Sequence, residues 1–167
     1  MNKLSLIVWL LLIPVLPVHA AGMDGMFDQG RTQFSLGAGN GYAFDNSYFV
    51  FGVSATHFVL DGLGVGLSLE NWSGGGPGIT KYSPFVQYVV YRESLIQPYF
   101  GVFYRHTAIN GMPGINSVGG RGGINIPAGP NSYISAGVSH ETYMDCQETL
   151  YRRCSETYPE LGFTFGI

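Results

Sequence analysis

The stretch "ELGFTFGI", residues 160–167, decides the fold. Its apolar and small residues alternate, with Leu161, Phe163, Phe165 and Ile167 on one face and Gly162, Thr164 and Gly166 on the other. A period of two is typical of a β-strand. The stretch therefore predicts a strand with one strongly apolar face and one compact face.

The same alternation recurs along the chain and predicts eight strands. The segments are 32–39, 48–60, 63–72, 81–91, 97–106, 118–126, 132–143 and 160–167. One face of each segment is apolar, while the other carries glycine, small polar or charged residues. A soluble barrel would have its apolar face inside. Here the glycine-rich face suits a narrow interior, so we predict a closed eight-stranded antiparallel up-and-down transmembrane β-barrel over residues 31–167.

The connections between the segments support this layout. Those after the second, fourth and sixth segments are short: "DG", "RESLI" and "PAGPN". Those after the third, fifth and seventh are longer: "SGGGPGIT", "TAINGMPGINS" and "MDCQETLYRRCSETYP". Bacterial transmembrane barrels have short periplasmic turns and longer extracellular loops. We therefore expect both chain termini on the periplasmic side.

The N-terminal segment has the pattern of an export signal. Lys3 precedes the apolar run "LSLIVWLLLIPVLPV", and "HA" follows it. We predict a secretory signal peptide over residues 1–20 and a short, mobile lead-in over 21–30. The alternative is a membrane anchor, but Pro14 and Pro17 interrupt the run. Export and the barrel pattern together predict the bacterial outer membrane as the location.

The composition limits the partners. Without Lys3, 7 basic side chains stand against 11 acidic ones, a net charge of −4. This balance argues against nucleic acid, which requires a basic face. Charged residues are only 11% of the chain, fewer than a soluble domain of this size needs on its surface. The composition therefore favours lipid over water as the surroundings of the apolar face.

The strand "PYFGVFYR" (98–105) resembles the Pro-Tyr-x-Gly strands of the small eight-stranded outer-membrane barrels, the superfamily of the OmpA transmembrane domain and OmpX. The resemblance covers roughly residues 31–167. Proteins of that class end on a strand with alternating outward aromatics, as Phe163 and Phe165 do here. They usually end in Phe, where this chain has Ile167. The resemblance implies a fold and a compartment but no activity.

Four charged residues have inward parity: Glu70, Arg105, Arg121 and Glu141. An isolated charge inside a narrow barrel costs several kcal/mol, so we expect the two acids and two bases to pair. Small OmpA-like barrels contain such a network, which plugs the lumen. The alternative is a gate or proton path whose pairs rearrange. An eight-stranded interior is about filled by side chains, which favours the plug.

The histidines suggest an enzymatic alternative, a lipid A deacylase of the PagL type. That family uses an outward His-x-Ser pair, since a serine hydroxyl needs an adjacent base. The weak candidates here are His106, which is followed by "TA", and His140, whose neighbour Ser139 lies on the opposite face. The spacing of His57, His106 and His140 predicts no metal site, and we expect no cofactor.

The two cysteines lie in the longest loop. Cys146 and Cys154 would form a disulfide in an oxidising compartment, closing a small ring. The loop over 144–159 is rich in Tyr and Arg, so it could contact a surface protein, glycan or lipopolysaccharide. The alternative is a solvated loop that is protected from proteases.

Aromatic residues beside the turns predict interface girdles. These residues are Tyr42, Phe44, Tyr48, Trp72, Tyr82, Tyr91, Tyr104, Tyr133 and Tyr143.

Taken together, the residues predict a non-enzymatic, monomeric outer-membrane protein. Its barrel would be an anchor in lipid and lipopolysaccharide, and its loops would be displayed at the surface. The alternatives are the deacylase and a narrow pore.

Overall fold

The computed structural model describes residues 25–90, 96–129, 131–144, 146 and 154–167. Its eight strands are β1 (Thr32–Ala43), β2 (Asn46–Leu60), β3 (Leu63–Gly74), β4 (Ile79–Val89), β5 (Gln97–Ile109), β6 (Met112–Gly129), β7 (Ser132–Tyr143) and β8 (Ser155–Gly166). Each strand pairs antiparallel with the next, and β8 pairs with β1 to close a barrel. The predicted fold class is confirmed. The predicted signal peptide lies outside the described residues.

Burial alternates along the strands as the parity predicts. Outward apolar side chains are exposed, for example Phe51 at 47%, Phe100 at 58% and Leu161 at 69%. Inward polar side chains are buried, including Gln33 and Glu141. The barrel is therefore apolar outside and polar inside. Within the described ranges, no helix is both long and apolar enough to cross a membrane.

The connection between β5 and β6 is shorter than the sequence predicts. The stretch "TAINGMPGINS" was expected to be a long loop, but β5 runs to Ile109 and β6 begins at Met112. The chain reverses at Asn110-Gly111, where Gly111 has a φ of 79°. Asn-Gly is a strong hairpin signal because such tight turns require positive φ. The first connection is also a two-residue turn, at Phe44-Asp45, with φ values of 50° and 57°.

Strand β8 begins five residues earlier than predicted. It pairs with β7 from Thr142↔Ser155 onward. Its first half carries Glu156, Tyr158 and Glu160 on the inward face, and these polar residues gave this part of the strand the composition of a loop. The expected loop over 144–159 is therefore shorter, and Glu156, which is exposed, and Tyr158 belong to β8 and line the cavity inside the barrel.

The lead-in, expected to be mobile, folds back into the barrel over the part that the structure describes. Met26 and Phe27 are 2% and 1% exposed. Phe27 packs against Phe58 and Tyr133, with ring centroids 5.6 and 5.4 Å apart. The amide of Gly62 donates to the Phe27 carbonyl at 2.8 Å. These contacts close the end of the barrel at which β1 begins and β8 ends, which we call the terminal end.

The aromatic girdle is smaller than predicted. Tyr82 and Tyr104 are outward and exposed, at 46% and 41%. Tyr48 and Tyr133 are instead buried inside, at 1% and 4%, and Trp72 packs against Tyr48. Their parity is that of the inward face, which overrides their position beside a turn. Tyr91 lies outside the described residues.

Candidate functional site

The barrel interior holds a charged cluster formed by Glu70 of β3, Arg105 of β5 and Glu141 of β7. We call it the ion cluster. The Arg105 Nη2 lies 3.3 Å from Glu70 Oε1, and its Nη1 lies 2.9 Å from Glu141 Oε2. Arg105 and Glu141 are 3% and 0% exposed. One guanidinium thus joins two carboxylates from strands on either side of the lumen.

Hydroxyl groups complete the hydrogen bonding of the ion cluster. The Arg105 Nε donates to Ser83 Oγ at 2.9 Å, and its Nη1 also contacts the Tyr158 hydroxyl. Glu141 accepts from Ser117 Oγ at 3.2 Å and lies 3.2 Å from the Tyr143 hydroxyl. A buried charge is tolerated when it is paired and hydrogen-bonded in this way.

Arg121 lies apart from the ion cluster, although its inward parity predicted that it would pair with the two acids. Its Nη2 donates to Gln87 Oε1 at 2.8 Å, and its guanidinium stacks 4.1 Å from the Phe85 ring centroid. Its Nε is buried without a hydrogen-bond partner. In the described part of the chain, no carboxylate lies within 4 Å of it.

Three further charges line the interior and were not predicted from the sequence. Lys81 has inward parity on β4 and is 8% exposed, with its ammonium 4.2 Å from the Trp72 ring centroid. Glu156 lies 3.1 Å from the Tyr143 hydroxyl, and Glu160 accepts from Ser139 Oγ at 2.5 Å. Parity alone would have found Lys81 and Glu160. Glu156 required the true start of β8.

A cavity of about 480 Å³ lies inside the barrel beside these charges. The interior is therefore not filled, contrary to the expectation from strand number. Small inward residues of β1, β2 and β3 leave this space, namely Ser35, Gly37, Gly39, Gly52, Ser54 and Ser68. The charged residues Glu70, Lys81, Arg105, Arg121, Glu156 and Glu160 also line it.

The cavity reaches the side of the barrel at the β1–β8 seam. Strand β1 pairs with β2 along its whole length, but with β8 only from Gln33↔Gly166 to Leu36↔Phe163. Residues 37–43 and 155–162 are all described, yet they do not pair across the seam. Ala38 and Leu161, which have outward parity, nevertheless line the cavity. The cavity therefore extends between the two strand edges.

The outward histidines His106 and His140 have polar neighbours, and the partner of neither is a serine. His106 Nδ1 lies 2.7 Å from Asn116 Oδ1, and His140 Nδ1 lies 2.7 Å from Thr157 Oγ1. Ser139 is directed inward to Glu160. The described residues contain no group of three or more His, Cys, Asp or Glu side chains that could hold a metal ion.

The predicted disulfide between Cys146 and Cys154 is present, with a Cα–Cα distance of 5.6 Å. The base of the β7–β8 connection is held by the Tyr143 amide, which donates to the Cys154 carbonyl at 2.9 Å. The Met144 amide donates to the Asn116 carbonyl at 2.8 Å. The disulfide thus closes a ring directly above the end of the β7–β8 ladder.

Comparison with known proteins supports the fold but no particular activity. No family model matches the chain, and no curated protein matches it. Solved structures do. The N-terminal β-barrel domain of Pseudomonas aeruginosa OprF matches with a TM-score of 0.65 and 14% identity, over 83% of this chain and 98% of that one.

Two further outer-membrane structures match. P. aeruginosa OprG has a TM-score of 0.54 and 12% identity, over 86% of this chain and 99% of that one. Neisserial surface protein A has a TM-score of 0.52 and 14% identity, over 82% and 95%. The chain therefore has the fold of the small eight-stranded outer-membrane barrels, in agreement with the resemblance seen in its sequence.

Proposed function

We propose that the protein is a non-enzymatic barrel of the bacterial outer membrane that anchors a surface loop. The outward face supports the membrane placement, because apolar side chains such as Phe51, Leu67 and Phe100 are about half exposed. Exposed apolar patches of this extent are typical of membrane or interaction surfaces. Lipid supplies the apolar surroundings that these side chains require.

The closed terminal end is the observation that carries the anchor role. Met26, Phe27, Phe58, Val89, Tyr99 and Tyr133 form one buried cluster, which we call the apolar plug. A continuous water-filled channel would have to pass this cluster, so the plug argues against a pore. The histidine geometry likewise gives no support to a deacylase, since neither His106 nor His140 has an outward serine beside it.

The displayed element in this proposal is the disulfide-closed connection between β7 and β8. Its ring spans Cys146 to Cys154, while the β1–β2 and β5–β6 connections are two-residue turns. A protein or glycan would therefore meet this ring first at the cell surface. The barrel beneath it holds both ends of the ring at a fixed spacing.

Epitope insertion tests the placement and the orientation. One tag is inserted between residues 149 and 150, and a matched tag is inserted in the Asp61-Gly62 turn. Antibody should label the first tag on intact Gram-negative cells, and the second only after the outer membrane is permeabilised. Labelling of the turn tag on intact cells would reverse the orientation. A soluble tagged protein would overturn the membrane placement.

Planar bilayer recordings test the closed lumen. The wild-type barrel should give no conductance steps, because the apolar plug blocks the terminal end. The Phe27→Ala variant should show conductance, because it opens the apolar plug. Phe34→Ala, which removes a ring from the outer face, is the control and should show none. Regular steps from the wild-type protein would replace the anchor with a narrow pore.

A further inference from the structure

We infer that the interior cavity binds a single-chain amphiphile with a carboxylate head group, which enters sideways between β1 and β8. This inference goes beyond the anchor role. It rests on the membrane placement proposed above and on no other part of that proposal.

The entrance is the unpaired part of the seam. Unpaired backbone groups at membrane depth are tolerated only where they are buried in protein or line a cavity. Residues 37–43 and 155–162 line such a cavity along most of their length. Pro159 lies on this edge of β8 and has no N–H to donate. Leu36 and Leu161, exposed at 44% and 69%, flank the opening, so it faces the apolar surroundings of the barrel.

The space behind the entrance is open. A Cβ atom built on Gly39 would meet no other atom within 4 Å, and one built on Gly37 would meet only the Leu161 carbonyl, at 3.5 Å. The volume of about 480 Å³ falls within the range of about 300–1,000 Å³ found for small-molecule sites. An opening in the lipid-facing wall selects molecules that are dissolved in the membrane.

Two cationic side chains in the cavity have unused hydrogen-bond donors. Lys81 is 8% exposed, and among the described residues it has no hydrogen bond and no carboxylate within 4 Å; its ammonium contacts the Trp72 ring. The carboxylate opposite it in register, Glu70, is already bonded to Arg105 and accepts from Trp72 Nε1 at 3.4 Å. Arg121 has its Nε buried without a partner.

These donors set the chemistry of the head group. An ammonium presents three donors and no acceptor, so a bound carboxylate would satisfy it. The acids on the opposite wall, Glu156 and Glu160, already accept hydrogen bonds from Tyr143 and Ser139. A carboxylate beside Lys81 therefore accepts charge-assisted hydrogen bonds, which are stronger than those that a neutral head group would accept.

Fluorescence of Trp72 provides a direct test, because it is the only tryptophan in residues 21–167 and it lines the cavity. The protein over residues 21–167 is refolded into phosphatidylcholine vesicles and titrated with 2-bromododecanoic acid, whose bromine lies next to the head group and quenches tryptophan on contact. We expect saturable quenching. 2-Bromododecan-1-ol, which has the same chain and a neutral head, should bind about tenfold more weakly.

Variants locate the site. Lys81→Met should weaken binding of the bromo acid about tenfold, and Lys81→Arg should restore most of it. Gly39→Leu fills the entrance and should abolish the saturable component, while Ala55→Leu places a leucine on the outer face and should not. Each refolded variant is first checked for a gel band that shifts on boiling, the mark of a closed barrel.

The outcomes separate the two proposals. Quenching that rises linearly and equally in wild type, Lys81→Met and Gly39→Leu would mean partition into the bilayer only, and would overturn the inference. The membrane placement would survive that result if the heat-sensitive band is present. If the protein gives no such band, both the membrane placement and the amphiphile site are wrong.

Discussion

Removal of the Arg105 guanidinium would leave the Glu141 carboxylate charged, buried and unpaired. Glu141 is 0% exposed, and in Arg105→Met it keeps only Ser117 as a donor and shares the Tyr143 hydroxyl with Glu156. Breaking a buried pair by removing one partner costs about 3–5 kcal/mol. We therefore expect Arg105→Met to lower the free energy of unfolding by that amount, since the hydroxyls that remain carry no charge.

A second substitution identifies the source of the cost. Glu141→Gln in the Arg105→Met background removes the unpaired charge and should restore about half or more of the loss, because burial of a neutral amide carries a smaller desolvation penalty. Arg121→Met is the matched control. It gives up one hydrogen bond to Gln87 and the contact with Phe85, so it should cost about 1–2 kcal/mol.

Urea unfolding in phospholipid vesicles, followed by Trp72 fluorescence, gives these free energies. Two results would refute the reasoning: an Arg105→Met loss no larger than that of Arg121→Met, or a double variant as unstable as Arg105→Met alone. Either would mean that the ion cluster does not contribute through its paired charges.

Three other predictions use the same unfolding assay. Phe27→Ala should cost about 3–5 kcal/mol, because its ring is 1% exposed within the apolar plug; a loss under 1 kcal/mol would mean that the lead-in is only loosely attached. Replacing Cys146 and Cys154 with serine should cost about 2–3 kcal/mol and should make the loop, but not the barrel, sensitive to trypsin; a resistant loop would contradict this. Gly66→Ala should cost about 1–3 kcal/mol, because its Cβ would lie near the Ala55 carbonyl oxygen, whereas Gly39→Ala should be within about 0.5 kcal/mol of wild type; equal effects would count against the packing described here.

Much of the fold could be predicted from sequence because a strand has a period of two. Once Phe163 and Phe165 are assigned to the outer face, the inward direction of Glu141 or Arg105 follows from counting residues. Such counting needs no knowledge of distant partners. Parity would also have placed Lys81 and Tyr48 inside, where the structure has them.

Other features depend on contacts that a local pattern does not contain. The polar half of β8 looked like a loop because Glu156, Tyr158 and Glu160 face an interior lined by charges. The lead-in looked mobile because the partners of Phe27, which are Phe58 and Tyr133, lie far along the chain. The distribution of ion pairs could not be predicted either, since parity places Arg121 inside but does not specify its distance from Glu141.

The short β1–β8 ladder also affects how the barrel closes during folding. Seven hairpin pairings join neighbours in sequence, but the seam must bring Ser35 to Thr164, 129 residues apart, where their hydroxyls lie 2.7 Å from each other. Long-range pairing is slow because loop-closure entropy is paid before the contacts form. Pairing of β1 with β8 is thus expected to be the slowest of the eight pairings, and its ladder is the shortest. Until it is complete, the chain is an open sheet with two free edges, the state most exposed to pairing with another molecule.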